Sequence, residues 1–407
     1  MAAPLSTSPT SEPRPIPAPL LNACFVLFVI HAAFFPAAWL AHWWIYDANG
    51  LGMPVDFVNV WSAGKLALEG HPALAWDWDV QKRLQVDLLG QGFIGHFAWH
   101  YPPPFLFVAA FLAQFPYAVA FIAWVSASLV PYLVAMRAIV GRPFGWLLAA
   151  AFPVVLTNTL VGQNGFFTAS LIGGMLVLLP TRPVLSGICL GLLSYKPQYG
   201  LLFPLVLIAA SQWTVFFTAG VVAVAMAALS WLAFGTESWQ AFLHWLPMFS
   251  QAFLTEGRAP WGKMQSIFAL VRYCGGSETL GWAFQWVMIV TVATALVLLW
   301  RSRACYSLKA AALATGTLLV TPYLFLYDVM VLAIAVGFLV RVGLSDGFRP
   351  CELPALGLMA ILLMFYPLFG APTGFAATLI VTSLIAMRWL VPHARSAKAP
   401  PIGQLQT

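Results

Sequence analysis

The sequence predicts an all-α membrane protein, a polytopic helical bundle. Two features of composition and one of pattern carry that prediction. The chain is 61% hydrophobic and 8% charged, where soluble domains run at about 45–50% and about 25%. Its mean hydropathy is +0.86. Apolar runs of about 17–25 residues, the length of a membrane-crossing helix, recur along the chain. An ordinary soluble domain is excluded.

Twelve runs read as candidate spans: 21–44, 117–137, 145–160, 165–179, 183–193, 200–210, 213–234, 281–300, 309–319, 324–340, 353–369 and 374–390. Several are short or broken by Gly or Pro, which buried helices tolerate when neighbours satisfy the freed backbone groups. The first run is too long for a signal-peptide core and lacks a clean small-residue cleavage site, so it reads as an uncleaved span. Residues 1–20, rich in Pro, Ser and Ala, read as a disordered cytoplasmic tail, and 393–407 as a second one. Residues 21–392 then form a single transmembrane domain.

Positive charge orders the runs. Arg137 with Arg142, then Arg182, then Arg301, Arg303 and Lys309, then Arg341 and Arg349, then Arg388, Arg395 and Lys398 mark turns that read as cytoplasmic. Both termini fall on that side. The other turns face outward, on condition that residues 102–116, which open with Pro102-Pro103-Pro104, do not complete a crossing. The outward segments 45–101 and 235–280 are long and rich in Trp, Phe, Tyr and His. They read as amphipathic helices lying at the interface. The net charge of +6 is spent on topology and does not suggest nucleic acid. The five cysteines are scattered and give neither a disulfide framework nor a metal site.

On this topology the unusual polar residues gather on the outer side. Asp56 opens the first outer segment, and His100-Tyr101-Pro102 closes it. Gly162-Gln163-Asn164-Gly165 and Tyr195-Lys196-Pro197-Gln198 form outer turns. Lys263, Gln265, Ser266 and Arg272 lie in the second outer segment. Tyr323, Tyr327 and Asp328 sit at the outer end of a late helix. A charge near the membrane core costs about 2.5–3.5 kcal/mol on insertion scales, so each is a functional candidate.

In their order, Asp56-Phe57, Trp61, Tyr101-Pro102-Pro103, Gly162-Gln163-Asn164, Lys196-Pro197 and Gln265-Ser266 resemble glycosyltransferase family 87. The resemblance covers most of residues 20–390. It implies a GT-C type bundle of about 12 transmembrane helices. It also implies a transferase, mostly of mannose, that takes its sugar from a polyprenyl phosphate and passes it to a glycan or glycolipid at the outer face of a bacterial inner membrane. This chain has Tyr327-Asp328 where many members carry histidines.

The resemblance makes Asp56 the catalytic base. The chemistry agrees, since an inverting transfer needs one carboxylate to take the proton of the attacking hydroxyl. The competing role is a cap on a helix that begins near Phe57. Lys196 reads as a donor-phosphate ligand or as a snorkelling lysine at a helix end. Arg272 and Lys263 offer the same charge from the second outer segment. Gln163, Asn164, Gln198, Gln265 and Ser266 bind sugar hydroxyls or order their loops, and Asn164 is equally a helix cap. His100, Tyr101 and Tyr323 line the acceptor pocket or anchor the interface. Asp328 needs a partner, Lys196 or Arg272, or serves as a second carboxylate. Asp77-Trp78-Asp79 has the spacing of a metal-binding pair, but such spacing is common among surface acids, and neither metal nor cofactor is expected. A lipid-linked sugar flippase is the first alternative, with an oligosaccharide polymerase or ligase behind it. A transport path needs polar groups reaching both sides, whereas these gather on one.

Overall fold

The computed structural model describes residues 14–391. Most of both expected tails, 1–13 and 392–407, lies outside the described residues. The fold is all-helical, and no β-strand forms among the described residues beyond isolated bridges.

Helix α1 (Ala18–Leu40) starts a few residues before its expected bound, with Pro19 in its first turn, where a missing N–H costs nothing. The first outer segment folds as α2 (Phe57–Leu68), a short 3-10 turn and α3 (Trp78–Leu89). After the three prolines comes α4 (Leu106–Leu112), packed on α2. The continuous helix Pro103–Leu112 falls well short of the ~20 residues a crossing needs. Helix α5 (Tyr117–Val140) is followed by α6 (Phe144–Ala150) and α7 (Val154–Val161), a pair bent by 60°. Next come α8 (Gly165–Leu178), α9 (Pro183–Leu192) and α10 (Leu202–Ala209). The long α11 (Trp213–Ser250) precedes α12 (Ile267–Tyr273), α13 (Glu278–Arg301) and α14 (Tyr306–Leu319). The chain ends in α15 (Met330–Asp346), α16 (Glu352–Met364), α17 (Tyr366–Phe369) and α18 (Thr373–Leu390).

Six of these segments are long and apolar enough to cross a membrane: α1, α5, Trp213–Thr255, α13, Leu326–Asp346 and α18. The bent α6–α7 pair makes a seventh. The expected count of twelve is not carried through. Each remaining expected span is a helix, but a short one. Helices α8 and α14 have 14 residues each, about 21 Å at 1.5 Å per residue, against ~30 Å of hydrocarbon. They stay in the bundle because both pack on α15. Helix α15 is buried along almost its whole length and forms the centre, whereas α1, α11 and α13 turn most of their surface outward.

Residues 235–280 begin at a break in α11. Gly235 takes φ 76° and ψ 170°, a conformation open to glycine, and breaks α11 where the span was expected to end. The chain then resumes as a second helical arm through Ser250, in keeping with the helices expected of this segment. That arm carries Leu246, Phe249 and Ser250 to the end of the bundle that holds His100, Gln198 and Tyr323.

Candidate active site

Six segments far apart in sequence line a cavity of about 390 Å³. Its walls are the start of α2, the extended stretch before Tyr101, the end of α7 with the turn after it, the loop 253–263, the loop 323–327, and Tyr366 at the start of α17.

The extended stretch is held from α3. Gln85 Nε2 donates to Phe97 O at 2.7 Å, and Gln85 Oε1 accepts from Phe97 N at 3.1 Å. Lys82 Nζ donates to Phe93 O at 2.6 Å. The loops of the far wall pair with each other. Gln265 N donates to Leu324 O at 2.7 Å, which sets Lys263 beside Tyr323. The turn after α7 depends on two glycines. Gly162 sits at φ 65° as the left-handed C-cap of α7. Gly165 passes so close to the Tyr327 carbonyl that a Cβ would lie 2.2 Å from its oxygen.

Asp56 occupies the N-cap position of α2, the helix that was expected to begin at Phe57. Its backbone is already helical, at φ −60° and ψ −27°, and its side chain makes no capping hydrogen bond. The carboxylate faces the cavity instead. It keeps part of its surface open there while protein crowds its other sides. Burial pushes its pKa up to about 6, an effect partly offset by the Gln163 side chain and by the charge of Lys263.

His100, Gln163, Lys263 and Tyr323 line the same cavity. Tyr101 stands behind it, fully buried, its hydroxyl donating to Gln163 Oε1 at 3.1 Å. His100 and Tyr323 also line a neighbouring apolar cavity of about 420 Å³. Gln198 belongs to that second space, with Leu246, Phe249 and Leu254.

Other expected site residues are engaged elsewhere. Lys196 does not reach the cavity. Its Nζ lies 2.6 Å from Asp328 Oδ1, with both side chains buried. Asp328 Oδ2 accepts from Phe325 N at 3.0 Å, so Lys196 is the partner that Asp328 requires. Arg272 turns away, donating to Gly276 O and Thr255 O, with its guanidinium 4.7 Å above the Trp261 ring. Gln265 and Ser266 order their loop. Gln265 bonds to Gly262 O, Lys263 O and Gly374 N, while Ser266 caps α12 and donates to Pro322 O. Asn164 stands at the N-cap of α8 without a capping bond, and its amide has no partner among the described residues. Asp77 caps α3 through Asp79 N and Val80 N.

Among the lining residues that sequence reasoning missed, two are polar side chains beside the named ones, Asn59 and Arg258. Asn59 lies one helical turn after Asp56, a spacing that places both on one face. Arg258 is one of the few arginines in the outer segments. It is exposed, paired with Glu256 at 2.7 Å, and lines the cavity with Lys263.

A helical membrane bundle with a cavity at one end, lined by an uncapped carboxylate, by Lys263 and by an Arg258 paired with Glu256, is the class of protein defined so far. The model of glycosyltransferase family 87 matches residues 99–322, more than half of the chain. The chain belongs to that family and is a glycosyltransferase. No curated protein and no solved structure matches it. The matched region contains His100, Gln163, Arg258 and Lys263. Asp56 and Asn59 precede it, so their membership of the site rests on geometry alone.

Proposed function

We propose that the protein transfers a hexose, mannose in the first instance, from a polyprenyl phosphate to a hydroxyl of a glycan or glycolipid. Asp56 takes the proton of that hydroxyl as its oxygen attacks the anomeric carbon. The new C–O bond forms on one face while the bond to the phosphate breaks on the other, and the polyprenyl phosphate leaves with the electron pair. The anomeric configuration inverts, and one base suffices. A carboxylate titrating near pH 6 is ionised at neutral pH and still basic enough to accept a proton.

The observation that carries this reading is an uncapped carboxylate at the start of α2 sharing one cavity with Lys263 and Arg258. The cations suit the donor phosphate, a role expected of Lys263 from the sequence along with Lys196 and Arg272, with Arg258 now in place of those two. Lys196, tied to Asp328, shapes the wall behind them. The neighbouring apolar cavity, which shares His100, Phe253 and Tyr323 with this one, offers apolar surface for a prenyl chain.

The cavity is read as facing the periplasm or exterior of a bacterial inner membrane. Helix α15 supports this orientation: it starts beside Tyr327 in the cavity wall and carries Arg341 near its other end, where Nη1 donates to Ile139 O at 3.1 Å.

The test is transfer by the purified protein across a panel of polyprenyl-phosphate sugars and envelope lipids, read as released polyprenyl phosphate. Asp56→Asn is expected to cut kcat by about 10²–10⁴-fold, the span of general-base catalysis. Full activity in that variant overturns the assignment.

A further inference from the structure

One backbone carbonyl fixes two side chains beside Asp56. The Ala98 oxygen accepts from Asn59 Nδ2 at 3.1 Å and lies 3.2 Å from His100 Nδ1. A carbonyl oxygen only accepts hydrogen bonds, and it has two lone pairs to offer. Both orientations follow. Asn59 must turn its nitrogen to Ala98, which leaves Oδ1 on the other side. His100 must carry its proton on Nδ1, which leaves Nε2 as a bare lone pair. Burial, helped by the positive charge of Lys196, pulls the His100 pKa down to about 4, so the ring is neutral at physiological pH.

Asn59 is 3% exposed, and its Oδ1 has no partner among the described residues. Asn59, His100 and Asp56 all line one cavity. An enclosed acceptor without a donor costs free energy that an incoming donor restores. With the ionised Asp56, this side of the cavity offers three acceptors. A phosphate, itself rich in acceptor oxygens, does not suit them. A ring bearing several hydroxyl donors does.

We infer that Asn59 and His100, set by the Ala98 carbonyl, are specificity-determining residues that accept hydrogen bonds from hydroxyls of the sugar ring bound beside Asp56. The inference rests on the reading of this cavity as the transfer site. That ring belongs to the donor or to the acceptor, and the chemistry is the same.

The experiment uses the full chain in nanodiscs, labelled with 15N-histidine, with the His100 signals assigned through His100→Gln. At pH 7 the expected state is the neutral ring protonated on Nδ1. Two probe sets are added, a short-chain polyprenyl-phosphate mannose and methyl α-mannoside, each with its monodeoxy analogues. The set that shifts the Nε2 signal identifies the ring as donor or acceptor. Within that set, at least one monodeoxy analogue is expected to bind tenfold or more weakly than its parent. In Asn59→Leu or His100→Phe one such penalty disappears, while His100→Gln, which returns an acceptor oxygen near the Nε2 position, keeps it.

A ring protonated on Nε2, an imidazolium at pH 7, no shift with either set, or equal penalties in wild type and Asn59→Leu would overturn the inference. Failure of the underlying reading looks different. There Asp56→Asn still transfers sugar, whatever the His100 tautomer and the deoxy penalties.

Discussion

At Asp56 burial and chemistry pull in opposite directions. A carboxylate moved from pKa 3.8 to about 6 destabilises the folded protein whenever it is ionised. The sign follows from linkage. Below the unfolded value both states hold the proton and nothing is lost. The penalty grows as pH rises from 3.8 to about 6 and is complete above that. Asp56→Asn is therefore expected to unfold at a higher temperature than wild type at pH 7.5, by on the order of 1–3 kcal/mol, and at the same temperature near pH 3.5. Thermal scans at the two pH values check it. Activity should follow the same group in the other direction, with kcat/KM falling tenfold per pH unit below about pH 6. A flat profile between pH 5 and 7 would remove Asp56 as the base. The position of this acid was legible from the sequence, because an acid just past the first span stands out in a chain with 13 acids. Its freedom from capping was not legible, since that depends on the helical φ and ψ of one residue.

At the scale of elements, the site is assembled by loops held against each other. Lys196 joins the break between α9 and α10 to the turn that leads into α15. Removing one partner of a buried pair strands the other charge, so Asp328→Ala is expected to cost about 3–5 kcal/mol. The double change Lys196→Met with Asp328→Leu should recover much of that stability, because two apolar groups leave no unpaired charge. Denaturation of the single and double variants decides it, and a double variant less stable than Asp328→Ala would contradict the account. The turn after α7 is equally constrained. Gly165→Ala puts a methyl group against the Tyr327 carbonyl, and it should lower both stability, by roughly 1–3 kcal/mol, and transfer. Gly200, which has open space around it, is the control: Gly200→Ala should leave both nearly unchanged. The motif around Gly162 and Gly165 could be picked out in the sequence, but its contact with Tyr327 joins residues too distant in the chain for any local pattern to reveal.

Across the whole molecule, the orientation makes a prediction that native residues can report. Cys274 is exposed near the cavity end, while Cys305 and Cys351 are exposed beside Arg303 and Arg349. In variants keeping one of these three as the sole cysteine, a membrane-impermeant maleimide should label Cys274 in intact spheroplasts. It should label Cys305 and Cys351 only after permeabilisation. The reverse pattern would turn the protein over and place the transfer site in the cytoplasm.

The sequence by itself determined the class of the fold and most of the helix positions. Apolar length and charge placement are local properties, and the bilayer acts on them directly. It also named four residues that line the cavity with Asp56: His100, Gln163, Lys263 and Tyr323. Tertiary structure alone decided how many helices are long enough to cross, because α8 and α14 shelter against α15 and need not span by themselves. It alone decided which cations remain free. Lys196 and Lys263 look alike in the sequence, yet one is neutralised by Asp328 and the other faces the cavity. A charge's role depends on what folds beside it, and partners 132 residues apart meet only when the bundle closes.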